Sequence, residues 1–335
     1  MKVLLTGGAG YVASACLRWL LKHGHDPIAF DNLSEGNGAA VPDGRLVVGD
    51  MLDVDALRQA MTDHGVEAVM HFAALASVPE SIEEPQRYWS VNVVGTKNVL
   101  DAMRDVGLTR LLFSSTAATY SFDAPMPLRE DSPTVPQVPY GTTKLSAERM
   151  IKDYARAYGL GYAILRYFNA SGADPDGEFG EDRRHESHLI PLVLHAAVGR
   201  RDHVKVFGGD WPTPDGSCVR DYVHTDDLAA AHQLAMEQLE PGNGEVYNVG
   251  TGRGASVLEV VAACAQLAGH PIPHPIVDRR PGDPAVLIAA SDKLQERGWT
   301  PQYTDIKDVV RTAWQWHQKY PGGYRDKTSG VSKKP

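Results

Sequence analysis

The sequence predicts an α/β fold, a doubly wound parallel sheet followed by a smaller mixed α/β C-terminal lobe. Three observations predict it. Over the first 115 or so residues, short apolar runs alternate with helical patterns. That alternation marks βαβ units whose sheet is covered on both faces. A glycine-rich turn joins the first apolar run to the first helical pattern. After Asn169 the texture changes, with frequent Gly and Pro and shorter segments.

The elements follow in order. Val3, Leu4 and Leu5 read as the first strand, and residues 13–21 carry helical apolar spacing. Residues 27–30 read as a second strand, ending at Asp31, and 45–48 as a third. A helix is expected from about Asp53, then a fourth strand at 67–70. A single long helix is expected at 86–106, a strand at 111–113, a second long helix at 140–158 and a sixth strand at 161–165. Residues 1–170 form the expected first domain and 171–330 a substrate-binding lobe. Segments near 220–250 are expected to return to the first domain, because the helix after Asp226 has the pattern to pack there. The tail, 327–335, is polar with clustered Lys and is expected to fray.

Composition narrows the class. The chain has 335 residues, 43% of them hydrophobic and 22% charged, an ordinary globular balance. Lys plus Arg number 33 against 42 Asp plus Glu, a net charge of -9. That argues against general nucleic-acid binding, although a few Arg residues can still build a basic pocket. Cys16, Cys218 and Cys264 are too few and too scattered for a disulfide framework or a metal cluster. They read as packing residues of a cytoplasmic protein, with no metal implied. No signal peptide is expected at the N-terminus, and no apolar run approaches the roughly 20 residues of a spanning helix.

The segment from Thr6 through Gly7, Gly10, Tyr11 and Val12 to Ala13 ends the first strand and opens the first helix. Gly7 and Gly10 allow a tight turn and close approach to a pyrophosphate, which the helix N-terminus favours. Ala13 allows close helix–strand packing. The plain alternative is a tight turn without ligand; the Rossmann-like context favours NAD. Asp31 can accept from both ribose hydroxyls and would repel an added 2'-phosphate, or else it caps the following turn. Asp50, with Met51 beside it, can reach an adenine amino group, or else marks an ordinary turn.

Tyr140 and Lys144 lie four apart on an expected helix and share a face. An ammonium beside a phenol draws its pKa down from near ~10, turning it into a usable base. Ser114, Ser115 and Thr116 end the strand expected beside them, where a hydroxyl can hydrogen-bond a reacting oxygen.

Taken together, these segments resemble the extended short-chain dehydrogenase/reductase family, within it the enzymes that epimerise C4' of UDP-hexoses. The resemblance covers about residues 1–325. It rests on Thr6 to Ala13, Asp31-Asn32-Leu33-Ser34, His71-Phe72-Ala73-Ala74 and Asn92-Val93-Val94-Gly95-Thr96. It continues in Phe113-Ser114-Ser115-Thr116, Pro139-Tyr140-Gly141, Lys144 and Arg166-Tyr167-Phe168-Asn169, then in Arg220-Asp221-Tyr222-Val223-His224 and Arg280-Pro281-Gly282-Asp283. It implies Tyr140 as catalytic base and acid, Thr116 as its hydrogen-bonding partner, and Lys144 as pKa tuner and nicotinamide-ribose ligand. It places Asn32, Ser34, Phe72, Ala73, Ala74, Asn92, Ser114 and Tyr167 on the cofactor. It places Asn169, His188, Leu189, Val206, Phe207, Arg220, Arg280, Asp283 and Leu287 on a UDP-sugar. Guanidinium forks suit diphosphate oxygens, although Arg220 could instead pair with neighbouring Asp221, and Asn169 could cap a loop.

The implied activity interconverts UDP-galactose and UDP-glucose through a 4-keto sugar, with hydride lent to NAD and returned. The chain departs from the family pattern at His188, Ala76 and Ser121. Related 4,6-dehydratases carry Asp-Glu directly after the active-site Thr, whereas Thr116 is followed by Ala117 and Ala118. A 4-ketoreductase, an epimerase of UDP-N-acetylhexosamines, UDP-pentoses or UDP-uronic acids, and a non-catalytic NAD-sensing scaffold are the other readings. Leu287 implies a preference for plain hexoses. A homodimer through helices 86–106 and 140–158 is expected from the resemblance.

Overall fold

The computed structural model describes residues 1–280 and 282–329. Pro281 and residues 330–335 lie outside the described residues; of the tail expected to fray, 327–335, residues 327–329 are instead helical, and Lys327 donates to the Glu178 carbonyl. From the N-terminus run β1 (Lys2–Thr6), α1 (Tyr11–Lys22), β2 (Asp26–Asp31), β3 (Leu46–Val48), α2 (Val54–Asp63) and β4 (Ala68–His71). Then come α3 (Val78–Glu83), α4 (Pro85–Tyr88), a π-helical turn (Trp89–Val94), α5 (Gly95–Asp105), β5 (Arg110–Thr116), α6 (Pro139–Tyr158) and β6 (Gly161–Tyr167).

The second half contains β7 (Asn169–Ser171), α7 (Leu189–Ala197), β8 (Val206–Phe207), β9 (Val219–His224), α8 (Thr225–Glu237), β10 (Gly244–Val249), β11 (Gly254–Ser256) and α9 (Val257–Ala268). It ends with β12 (Ile276–Val277), β13 (Val286–Leu287), α10 (Asp292–Glu296), α11 (Ile306–Lys319) and α12 (Tyr324–Ser329).

Among the described residues the main sheet has seven strands, ordered β10-β6-β5-β4-β1-β2-β3. Every pairing in it is parallel. Its strands read as continuous apolar runs because helices cover both faces: Val3, Leu4 and Leu5 are fully buried, as are Leu111 and Phe113. This is a Rossmann-like doubly wound sheet. Its strand order reverses between β1 and β4, which opens a crevice at the carboxyl ends of those strands. Thr6 ends one strand and His71 the other; the carbonyl of Thr6 accepts from the N–H groups of Phe72 and Ala73 at 3.0 Å each.

The long helix expected at 86–106 is broken. A π-helical turn separates α4 from α5. The turn brings Asn92 inward, where its amide takes the N–H of Leu75 at 2.8 Å and donates to the Leu75 carbonyl at 3.0 Å. Periodicity alone could not reveal this, since the interruption serves a partner 17 residues away.

The second half builds a smaller sheet, β11-β9-β13 with β7 also paired to β9, and a two-stranded piece, β12-β8. Helices α7, α9 and α11 close over a core that includes Val193, Leu194, Val260 and Val310. Two segments leave this half: β10 pairs with β6, and α8 packs on α1. A further core joins Phe179, Trp316, Tyr320 and Tyr324 to Ala15 and Ala40 of the first half. Trp316 is fully buried there, which stabilises by roughly 3 kcal/mol relative to exposure. Among the described residues no helix is long and apolar enough to cross a membrane.

Candidate active site

The crevice at the strand-order reversal is a groove of about 490 Å³. Its floor is the turn between β1 and α1. Gly7 has φ +69, and a Cβ there would come within 2.6 Å of the Ala73 backbone. Gly10 is the N-cap of α1 and provides no side-chain cap. The first N–H groups of the helix therefore remain available to an anion. Gly7, Gly10, Tyr11 and Val12 all line the groove.

At one end stands Asp31, the last residue of β2. Its carboxylate accepts from the N–H of Ala9 at 3.0 Å and of Leu33 at 2.8 Å. Burial pushes its pKa up, against those two bonds. Turn-capping and groove-lining are thus both its roles. Asn32 donates to Asp50 at 3.0 Å, and Asp50 also holds the N–H of Leu52 at 2.8 Å. Ser34, Met51, Phe72, Ala73 and Ala74 line the same groove.

At the other end α6 and β5 bring the reactive side chains together. Thr116, Tyr140, Lys144, Ser114 and Tyr167 all line the groove. The Tyr167 hydroxyl donates to Ser114 Oγ. Lys144 Nζ donates to the Ser114 carbonyl at 2.8 Å and lies 4.7 Å from the Phe113 ring centre. Burial lowers the Lys144 pKa to about 7, opposed by the Glu148 carboxylate one turn further along α6. Burial raises the Tyr140 phenol, while a hydrogen bond with Thr116 and the charge of Arg183 lower it. In this geometry the Lys144 ammonium is taken up by the carbonyl of Ser114.

Beyond Tyr140 lies a second cleft of about 520 Å³, on the smaller lobe. Thr116, Tyr140, Tyr167, Asn169 and His188 line both spaces, so the phenol sits on their common wall. Leu189, Phe207, Arg220, Arg280, Asp283 and Leu287 line the second cleft. Arg220 pairs with Asp283 at 3.6 Å, across the cleft wall, and not with Asp221. The fully buried Asp221 instead holds the N–H groups of Thr251 at 2.8 Å and Gly252 at 3.0 Å. Arg280 stacks over the Phe207 ring, 4.2 Å from its centre.

Two expected contact residues stand back from these spaces. Asn92 is buried and committed to Leu75 and Thr143, so it shapes the groove wall from behind. Val206 is 1% exposed, facing the core, because side chains alternate along β8 and Phe207 takes the cleft side.

The structure adds residues that sequence reasoning passed over. Glu181 accepts from Arg183 at 2.6 Å and contacts His188 Nδ1 at 2.7 Å. The charge-dense run from Glu181 to Glu186, directly before His188, was the available signal. Behind the site, buried Glu148 pairs with Arg166 and accepts from Ser115, both at 2.5 Å. Its signal was the four-residue step from Lys144 along α6.

Residues 3–250 match the NAD dependent epimerase/dehydratase family. The chain is 52% identical, over 316 residues, to the UDP-glucose 4-epimerase of Corynebacterium glutamicum, covering 94% of this chain and 95% of that one. The crystal structure of UDP-glucose 4-epimerase from Brucella ovis in complex with NAD superposes with a TM-score of 0.91 at 46% identity, covering 93% and 97% of the two chains. That of the Bifidobacterium longum enzyme in complex with NAD+ and UDP superposes with a TM-score of 0.92 at 36% identity, covering 96% and 100%.

Proposed function

The chain belongs to the NAD-dependent epimerase/dehydratase family, and from that premise we propose that it interconverts UDP-galactose and UDP-glucose by epimerisation at C4' of the hexose. One observation carries the reading: Tyr140 and Thr116 line both the dinucleotide groove and the second cleft. A group on that wall can serve a reaction between ligands held on either side.

The groove fits NAD. The turn at Gly7 leaves no room for a side chain, the first turn of α1 is uncapped, and Asp31 ends β2 with a carboxylate hostile to a 2'-phosphate. When bound, NAD supplies a hydride acceptor that is regenerated within each turnover. Tyr140 takes the 4'-hydroxyl proton at its phenolic oxygen and gives it back after the keto sugar has turned. Thr116 steadies that oxygen by hydrogen bonding, and Lys144 holds a positive charge beside the Ser114 carbonyl. Arg220 and Arg280 hold the diphosphate of the sugar nucleotide, with Asn169, His188, Leu189, Phe207 and Asp283 around it. This anchoring leaves the sugar free to rotate. Leu287 leaves limited room beside it, which favours plain hexoses over N-acetylhexosamines.

In the two-lobe reading, residues 1–170, with a return near 220–250, hold the cofactor and 171–330 the UDP-sugar. The protein acts in the cytoplasm as a homodimer through α4, α5 and α6. Exposed Trp89, Val94 and Tyr158 on or beside those helices support that surface. A 4,6-dehydratase is disfavoured because the two positions after Thr116 carry methyl groups, with no acid to expel water. A scaffold without catalysis is disfavoured because Tyr140, Lys144 and Thr116 share one wall.

The test is turnover. UDP-galactose with NAD is expected to give UDP-glucose with no net NADH, and Tyr140→Phe to cut the rate by about 10²–10⁴-fold. A keto product or accumulating NADH would refute epimerisation. Rates with UDP-N-acetylglucosamine equal to those with UDP-glucose would refute the preference.

A further inference from the structure

Three cations line the dinucleotide groove: Arg87, Lys144 and Arg183. Arg87 is engaged by Glu80 and Glu35. Lys144 donates to the Ser114 carbonyl at the nicotinamide end. Arg183 differs. Its Nε donates to Glu181 at 2.6 Å, and among the described residues its two terminal nitrogens have no hydrogen-bond partner. A guanidinium has five N–H donors in a rigid fork, so most of its donors remain available.

The segment bearing Arg183 is held firmly over the groove. Asp182 accepts from the N–H of Tyr324 at 2.9 Å, and the Tyr324 hydroxyl donates to the Gly180 carbonyl at 3.1 Å. Trp316 donates to the Glu181 carbonyl at 3.3 Å. On the far side, Arg184 donates to the Leu33 carbonyl at 3.2 Å, two residues past Asp31. The strap therefore spans from the C-terminal helix to the end of β2. The groove's carboxylates are engaged elsewhere: Asp31 by Ala9 and Leu33, Glu35 by Arg87, Asp50 by Asn32, Asp182 by Tyr324.

We propose that Arg183 is a cofactor-binding residue whose guanidinium fork pairs with the diphosphate of the dinucleotide, opposite the uncapped first turn of α1. The proposal rests on the NAD reading of the groove. Burial raises the phenols of both Tyr11, the first residue of α1, and Tyr140, and the charge of Arg183 opposes that rise at each, so it acts between the phosphate turn and the reacting end. The α1 turn carries no basic side chain, only Tyr11 and Val12 ahead of Ala13. Arg183 thus brings the full positive charge that backbone N–H groups supply only in part.

The test titrates the full chain and its Arg183→Gln and Arg183→Lys variants with NAD, ADP and adenosine at low and high salt. Arg183→Gln is expected to weaken NAD and ADP by roughly 10- to 100-fold, leave adenosine unchanged and flatten the salt dependence. Arg183→Lys is expected to recover part of the loss. Unchanged NAD affinity in Arg183→Gln overturns the assignment. Equal weakening of adenosine and ADP also overturns it, since that marks a collapsed strap. If the unmodified chain binds ADP but not NAD, the cofactor reading fails; if it binds none of the three, both fail.

Discussion

At the residue scale, the chemistry depends on one buried charge held by another. Lys144 is 3% exposed, and burial lowers its pKa to about 7. Glu148 opposes that fall while also pairing with Arg166, itself buried beneath the Tyr120 ring. Removing one partner of a buried pair leaves a charge without compensation. Glu148→Gln is expected to cost about 3–5 kcal/mol of stability, while Ser115→Ala, which removes one neutral donor from the same carboxylate, costs about 1 kcal/mol. Chemical denaturation of the two variants checks this. Equal costs would mean that the ion pair is not what anchors α6 to the sheet. The Tyr140, Lys144 and Thr116 set was legible from spacing and strand context. The Arg183 charge that adds to the Thr116 hydrogen bond against the burial-raised phenol was not, because it comes from a strap 43 residues further along the chain.

At the element scale, the β1–α1 turn shows what glycine is for. Gly7 combines a positive φ with backbone 2.6 Å from where its Cβ would stand. Gly107, after α5, has φ +76 but nothing within 4 Å. Both would resist alanine through backbone strain of about 1–3 kcal/mol. Only Gly7→Ala must also push β1 away from the loop after β4. Gly7→Ala is therefore expected to destabilise more than Gly107→Ala and to abolish NAD retention, which Gly107→Ala keeps. Unfolding midpoints and the nucleotide released by acid check both arms; identical behaviour would remove the close approach as a cause. Strands β1, β2, β4, β5 and β6 were legible because strands buried on both faces must be continuously apolar. The break between α4 and α5 was not, since Asn92 is drawn inward by a loop rather than by helical periodicity.

At the scale of the whole molecule, buried histidines link the two halves to pH. Burial lowers His71, His224 and His317 to about 3 and His232 to about 4. Each has a folded pKa below its unfolded value near 6.5. The unfolded chain therefore binds more protons between pH 6.5 and the folded values, and stability falls as pH drops through that window. Each histidine contributes up to about 1.4 kcal/mol per pH unit there. Asp226, raised by burial to about 6, acts in the opposite sense from pH 4 to 6 and offsets part of the loss. Urea midpoints are expected to fall steeply below pH 6, and flat midpoints from pH 6.5 to 4 would contradict this. The sheet, the glycine turn and the placing of Asp31 and of the Tyr140–Lys144 face were readable from the chain, because each depends on local spacing and on which faces must be dry. That Arg220 meets Asp283, that Val206 turns inward, that Asn92 serves Leu75 and that Arg183 hangs over the groove could come only from the folded chain. Those outcomes depend on where distant segments land, and side chains without a local partner take whichever partner packing delivers.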